Sequence, residues 1–342
     1  MAVGIRTMKL YFGRVVILNR RCLGPTAVCA LLLLTSCQTP PPPNPVPVAP
    51  PVAGRTDDLV IVAGQAFHIG AKVVTWSETA GLNAYDFKPS KKAGTENRGV
   101  RRLAPAVGED SGVEPRASWD LAGLQEQIDQ FVLHYDSEGF SRRTFAILQQ
   151  RGLSAHFLLD VDGTIYQTLD LRERAYHATV ANSRSIGIEI ANLGAYPREE
   201  TKELHSWYVT DDAGNTLLRP PVKAGATGVL TPNFIAHPAR PQSITGVING
   251  YPVEQYDFTP EQYAALIKLT AALHRIFPRI KLDYPRDSRG QLAARQLAEK
   301  DYENFHGVLG HWHIQANKVD PGPAMQWDHL IEGARAEVEA KE

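Results

Sequence analysis

Apolar and polar positions fall into short runs along the middle of the chain, and the period of each run predicts an element. Phe131-Val-Leu-His-Tyr135 is a short β-rich run. Arg142 to Arg151 holds helix formers with Phe145, Ile147 and Leu148 as apolar positions, and Ala155-His-Phe-Leu-Leu159 is a second strand. Strand, helix, strand makes a crossover unit. Asp160-Val-Asp-Gly163 is a turn signal, so Thr164 to Leu169 should pair back as a hairpin. Ser185-Ile-Gly-Ile-Glu-Ile190 predicts a strand with Ile186, Ile188 and Ile190 on one face and Gly187 and Glu189 on the other.

Thr259-Pro-Glu-Gln262 reads as a helix start, with Thr259 as cap and Gln262 completing a capping box. That helix should run to about Phe277 with Tyr263, Leu266, Ile267, Leu273 and Ile276 on a stripe that packs on the sheet, and a last helix should cover Trp327 to Val338. Val308-Leu-Gly310 is another short strand. Val60-Ile-Val62 and Lys72-Val-Val-Thr75 suggest added β structure before the core. The expected fold is α/β, a mixed central β-sheet flanked by helices, with an N-terminal extension and a long insertion at about 195–258.

Composition changes the picture at the N-terminus. The 342 residues carry 36 Lys and Arg against 37 Asp and Glu, 43% apolar residues and three cysteines, which exclude a multi-span membrane protein, a collagen and a disulfide-stapled miniprotein. Residues 1–36 hold five basic residues and no acidic one, which leaves 31 basic against 37 acidic in the remainder. An acidic remainder without a basic run argues against a nucleic-acid partner.

Arg20-Arg21 precede the apolar segment Ala27 to Leu34, which is too short to span a bilayer and has the form of an export signal. Leu34-Thr-Ser-Cys37 then resembles the lipobox of bacterial lipoproteins. That resemblance implies cleavage before Cys37, acylation of Cys37 and a membrane anchor without a spanning helix. Gln38 resembles the sorting pattern for the outer membrane of Gram-negative bacteria, so the expected location is its periplasmic face. Cys22 and Cys29 lie in the part removed, and Met8 offers an alternative start. Eight prolines between Pro40 and Pro51 make a stiff tether. The organisation read from this is 1–36 signal, 37–54 lipidated cysteine and tether, and 55–342 one domain with its core at about 120–342, acting as a monomer.

His134 ends an apolar strand, His311 follows the strand at 308–310, and Asp320 lies nine residues further on. Two imidazoles and a carboxylate suffice for a catalytic zinc ion with a fourth position open to water, although eleven histidines allow many such triples. The surrounding text is more specific. Phe131-Val-Leu-His-Tyr135, Ser154 to Gln167, Ala175-Tyr-His-Ala178, Ser185 to Asn192, and Gly310-His311 with Lys318 to Pro323 resemble, in order, motifs of the zinc-dependent N-acetylmuramoyl-L-alanine amidase type 2 family, which is related to peptidoglycan recognition proteins.

The resemblance implies that His134, His311 and Asp320 bind zinc, that Glu189 is the catalytic acid/base and that Lys318 stabilises the oxyanion. It also implies that the substrate is peptidoglycan or a muropeptide, cut between N-acetylmuramic acid and L-alanine. The spacing from His311 to Asp320 is one residue shorter than the usual family pattern, and His313 would point the same way as His311 in an extended segment. Both histidines stand as candidates, with His311 preferred because it follows the glycine.

His177 matches the family's Trp/Tyr-His-Ala segment and, with Asn182, is a candidate for substrate contact. His156 reads as a packed histidine, and Asp160 and Asp162 as turn residues rather than calcium ligands. Trp207, Tyr208, Tyr251 and Tyr256 in the insertion either stack on sugar rings or anchor a long loop. Two other readings remain: a binding protein on the same fold that lacks the metal, and a zinc hydrolase acting on another amide.

Overall fold

The computed structural model describes residues 56–86, 120–222 and 225–341. The export signal, Cys37 and the Pro-rich tether lie outside the described residues. In chain order the elements begin with β1 (Leu59–Val62), β2 (Gln65–His68) and β3 (Val73–Thr75), followed by α1 (Leu121–Gln127), β4 (Gln130–Tyr135), α2 (Ser141–Arg151), β5 (Phe157–Leu159), β6 (Ile165–Gln167) and β7 (Ser185–Ile190). The insertion contributes β8 (Tyr196–Pro197), α3 (Lys202–Ser206), β9 (Tyr208–Thr210), β10 (Thr216–Leu218), β11 (Ile244–Ile248) and β12 (Tyr251–Gln255). The chain ends in α4 (Pro260–Ile276), α5 (Glu299–Asn304), β13 (Gly307–Gly310) and α6 (Trp327–Glu339). Among the described residues no helix is long and apolar enough to cross a membrane.

Six strands form the central sheet in the order β13-β4-β7-β5-β6-β3. It is mixed: β4 runs parallel to β13 and β7, β5 is parallel to β7, and only the hairpin of β5 with β6 is antiparallel. The crossover read at 131–159 is present, and β7 lies between its two strands. The N-terminal β structure divides, with β1 and β2 forming a separate hairpin and β3 closing the edge of the main sheet beside β6.

The side-chain period of a strand gives the sheet two unlike faces. Phe131, Leu133, Phe157, Leu159, Ile186, Ile188 and Ile190 point into the main core, against α4 and α6. Helix α4 supplies the expected stripe, with Tyr263, Leu266, Leu273 and Ile276 buried and Ile267 half-buried against it. A side chain of that size taken out of water contributes about 1.5–3 kcal/mol. Its start is the expected capping box: Thr259 Oγ1 accepts from Gln262 N at 3.0 Å, and Gln262 Oε1 accepts from Thr259 N at 2.8 Å.

The opposite face carries Val132, His134, Leu158, Gly187 and Glu189, and is covered in part by α2 and by the 3-10 turn at Thr179–Ser183. In the ladder His134 stands opposite Glu189. Paired residues of parallel strands share a face, so the backbone register alone sets these two functional groups side by side.

The insertion is more ordered than a loop. β8, β11 and β12 form a three-stranded sheet, β9 and β10 pair as a hairpin, and a second apolar cluster around Phe140, Leu193, Leu204 and Trp207 joins it to the body. Tyr208 stacks on Tyr256 at 3.8 Å between ring centroids, which is the anchoring reading of these aromatics. Tyr251 is exposed.

Candidate metal centre and cleft

His134 is delivered by the last turnless stretch of β4, and His311 opens a 3-10 turn directly after β13, the neighbouring strand. Asp320 returns on the loop that follows. The three residues are 2%, 5% and 8% exposed, and one ligand atom from each lies within 4.8 Å of the others. His134 Nδ1 is 2.8 Å from Asp320 Oδ2, and His311 Nδ1 is 3.0 Å from the same oxygen.

The partners of the distal ring nitrogens fix which tautomer faces Asp320. Ser185 Oγ donates to Ala181 O at 2.8 Å, so it accepts from His177 Nε2 at 3.2 Å. His177 Nδ1 is then an acceptor, and His134 Nε2 donates to it at 3.0 Å. His311 Nε2 likewise donates to Gln315 Oε1 at 2.6 Å. Both histidines are thereby left with an Nδ1 lone pair turned toward a carboxylate oxygen, an arrangement that only a cation or protons among the three groups makes favourable. Bonds of about 2.0–2.1 Å to a tetrahedral ion put its donors roughly 3.3 Å apart. The two histidine–carboxylate separations, 2.8 and 3.0 Å, lie within about half an ångström of that requirement, and orienting partners on both distal nitrogens are the usual company of metal-binding histidines. The residues present fit zinc.

His177 lies over β7 because residue 187 has no side chain: a Cβ there would come within 2.5 Å of the His177 ring. Both ring nitrogens of His177 are engaged, so the imidazole orients His134 while its edge lines the cleft. Asn182 does not line the cleft. Its Oδ1 accepts from His177 N at 3.1 Å and Ala178 N at 2.7 Å, holding the segment that presents His177.

Electrostatics follow from burial. Desolvation, then the neighbouring His311 charge, lowers the His134 imidazole to about 4. For Asp320 desolvation works upward, but the two imidazoles beside it favour the ionised carboxylate more strongly and hold the carboxyl well below its usual range. Glu189 is pushed well above the ordinary carboxylate value, first by desolvation and then by the Asp320 and Asp136 charges, with Lys318 and Arg151 opposing.

Glu189 and Lys318 open onto one cleft of about 320 Å³ together with the three clustered residues. Its outer walls include Asp136, Arg151, Tyr176 and Asn317, which the sequence reading did not single out. Gln315, which orients His311, stands four residues after it, a spacing that the sequence shows.

His313 is not part of the cluster. The 3-10 turn at His311–His313 breaks the extended path on which the two rings would point alike, and His313 is fully buried beside Trp312 and Trp327, with its Nδ1 accepting from Gly310 N at 2.9 Å. His156 is packed as expected, between Glu173 O and Gly187 N. Asp160 and Asp162 hold their turn through backbone N–H groups, and Asp162 also accepts from Thr231 in the insertion.

An α/β protein with a buried pair of histidines and a carboxylate at the floor of an open cleft, and a glutamate in register beside them, is the class that fold and site define. Residues 124–323 match the family model Amidase_2, N-acetylmuramoyl-L-alanine amidase, and the chain belongs to that family. Among solved structures it is similar to AmpDh3 from Pseudomonas aeruginosa, solved with anhydromuramic pentapeptide, at 19% identity and a TM-score of 0.34 over 67% of this chain and 66% of that one. It is also similar to AmiD from E. coli, solved with the substrate anhydro-N-acetylmuramic acid-L-Ala-D-gamma-Glu-L-Lys, at 20% identity and a TM-score of 0.35 over 66% of this chain and 62% of that one. The chain thus spans less than two thirds of the length of either neighbour. No curated protein sequence gives a significant match.

Proposed function

We propose that this chain is a zinc-dependent N-acetylmuramoyl-L-alanine amidase that hydrolyses the amide between the lactyl group of N-acetylmuramic acid and the L-alanine of the stem peptide. The observation that carries this reading is the pair of Nδ1 lone pairs directed at Asp320 Oδ2 beside Glu189, in a chain of the amidase family. His134, His311 and Asp320 would hold the ion. Zinc, when bound, lowers the pKa of a coordinated water toward about 7 and polarises a carbonyl.

The chain's own residues do the rest. Glu189, whose carboxyl binds a proton more readily than an ordinary glutamate, takes the proton of the attacking water and delivers it to the nitrogen of the leaving L-alanine. Lys318 places its ammonium on the wall of the same cleft, where the oxyanion of the tetrahedral intermediate forms. His177 keeps His134 in the tautomer that presents Nδ1.

The location follows from the lipobox resemblance. We place the protein on the periplasmic face of a Gram-negative outer membrane, held by acylated Cys37. Palmitate labelling that persists in Cys37→Ala would refute the anchor.

For the activity, the chain from Gln38 onward is incubated with purified sacculi and with soluble muropeptides, with and without a zinc chelator, and products are identified by mass spectrometry. Chelator-sensitive release of stem peptides with a free L-alanine N-terminus is the expected result. Peptidoglycan retention without cleavage by a zinc-loaded, folded protein would instead make it a binding protein.

A further inference from the structure

Hairpin β11–β12 contributes no side chain to the wall of the cleft. Each of its ends nevertheless carries an amide that grips the segment from His311 to Ala324. At the turn, Asn249 takes φ +51°, and its Nδ2 lies 3.2 Å from Trp312 O, 3.3 Å from Gln315 O and 2.9 Å from Lys318 O. Its Oδ1 accepts from Gln296 N at 2.6 Å, so both ends of the amide are in use. At the far end of β12, Gln255 is fully buried, donates to Pro321 O at 3.0 Å and to Asn192 Oδ1 at 3.1 Å, and accepts from Ala324 N at 3.0 Å. Gly322 takes φ +88°, and a Cβ there would run into the Gln255 amide, so the loop and the glutamine are fitted to each other.

We infer that this hairpin is a positioning device for the cleft, with Asn249 holding the backbone under Lys318 and Gln255 holding the backbone next to Asp320. The inference rests on the proposed roles of Lys318 and Asp320 and adds a task for the insertion. The physical need is plain. Between His311 and Asp320 the chain has only one 3-10 turn; Gln315 O accepts from Lys318 N, but the carbonyls of Trp312 and Lys318 require outside donors, and the two hydrogens of one side-chain amide lie within reach of both. Asn192, the other partner of Gln255, follows β7 by two residues, so Gln255 ties the Asp320 loop to the strand that carries Glu189. Two amides thereby fix the distance between the acid/base and the groups it works with.

The test uses the folded chain in zinc-loaded and metal-free forms with Asn249→Gly and Gln255→Glu. Glycine accepts the positive φ and removes only the amide. Glutamate keeps the length and the acceptor and removes the donor. Asn249→Gly should keep one zinc per chain and its KM within about twofold while kcat falls about tenfold, and Gln255→Glu should weaken zinc binding by about 10–100-fold in competition with a chromophoric chelator.

In the metal-free variants, amide hydrogen exchange should speed up in residues 311–324 and stay unchanged in β4 and β7. Thr245→Ala, on the exposed face of the same hairpin, should behave as wild type. Wild-type zinc affinity and exchange in both variants would overturn the inference, as would faster exchange spread through the whole domain. Zinc affinity and exchange read the clamp even in a chain that cleaves no peptidoglycan, so failure of the amidase reading shows separately.

Discussion

A metal-binding imidazole must present a lone pair, and in the proposed centre the lone pair of His134 is set by its neighbour His177. Removing the acceptor that orients His134 should therefore act on the metal before it acts on the fold. His177→Ala is expected to weaken zinc binding by about 10–100-fold, with the far-ultraviolet spectrum unchanged, and isothermal titration with zinc reads this directly. Unchanged affinity would mean that the hydrogen bond from His134 Nε2 at 3.0 Å does not set the tautomer. Glu189→Gln separates chemistry from binding. It should keep zinc and lose about 10²–10⁴-fold in turnover, the range of general acid–base catalysis, and full activity would sink its assigned role.

His311→Ala should lose the metal, whereas His313→Ala should keep it and unfold more readily by about 1–3 kcal/mol, since a packed and hydrogen-bonded ring is removed from the core. Metal analysis of the two purified variants decides the point. Composition and spacing left these two histidines open because the answer depends on one backbone turn. A 3-10 turn and an extended strand place residues two apart on different or equal sides, and Gly310-His-Trp-His313 marks neither strongly.

At the scale of elements, what was legible in the sequence is what repeats with a period. The alternation in Ser185 to Ile190 correctly placed three isoleucines in the core and Glu189 opposite them, and the Thr259 to Gln262 signature correctly placed the start of α4. The cap is also testable. Thr259→Ala gives up the bond from Gln262 N and a second one from Thr259 Oγ1 to Val161 O at 2.7 Å, and should cost about 1–2 kcal/mol, seen as a lower urea midpoint with an unchanged slope. Thr259→Ser should recover most of it.

What was not legible is held by contacts distant in sequence. The insertion has strands of two to five residues, too short to show a period, and its order comes from partners such as Asp162 with Thr231 and Asn192 with Gln255. A Gly- and Pro-rich text of that kind reads as loop until the body that it packs on is present. The same reason hid Asn249: an Asn-Gly pair announces a hairpin turn, but nothing local announces that its amide reaches residues 312–318.

At the scale of the whole molecule the elements meet at Asp160, which is fully buried where the β5–β6 turn, the N-terminus of α2 and the insertion converge. Its Oδ1 accepts from Val161 N at 3.0 Å and Ser141 N at 3.4 Å, while Oδ2 and the nearby Ser141 Oγ have no hydrogen-bond partner among the described residues. Desolvation, reinforced by the Asp162 and Asp136 charges, raises this carboxyl to about 7. The sign of its effect on stability is opposite to that of a paired carboxylate. The folded chain keeps the Asp160 proton up to about pH 7, whereas the unfolded chain gives it up near the ordinary value of about 4.

Across that window the native state binds more protons, so this group makes the fold progressively less stable as pH rises from about 4 to 7 and constant above it. Asp160→Asn retains the oxygen that accepts both backbone bonds and cannot ionise. Urea unfolding of metal-free wild type and variant, run in parallel from pH 4 to 8, should show the variant gaining on wild type by a growing margin up to about pH 7, on the order of a few kcal/mol, and level beyond. Taking the difference between the two proteins cancels the proposed zinc ligands, which titrate alike in both. A difference that does not change with pH would show that Asp160 is ionised throughout, with its unpartnered oxygen paired in solution by a buried water.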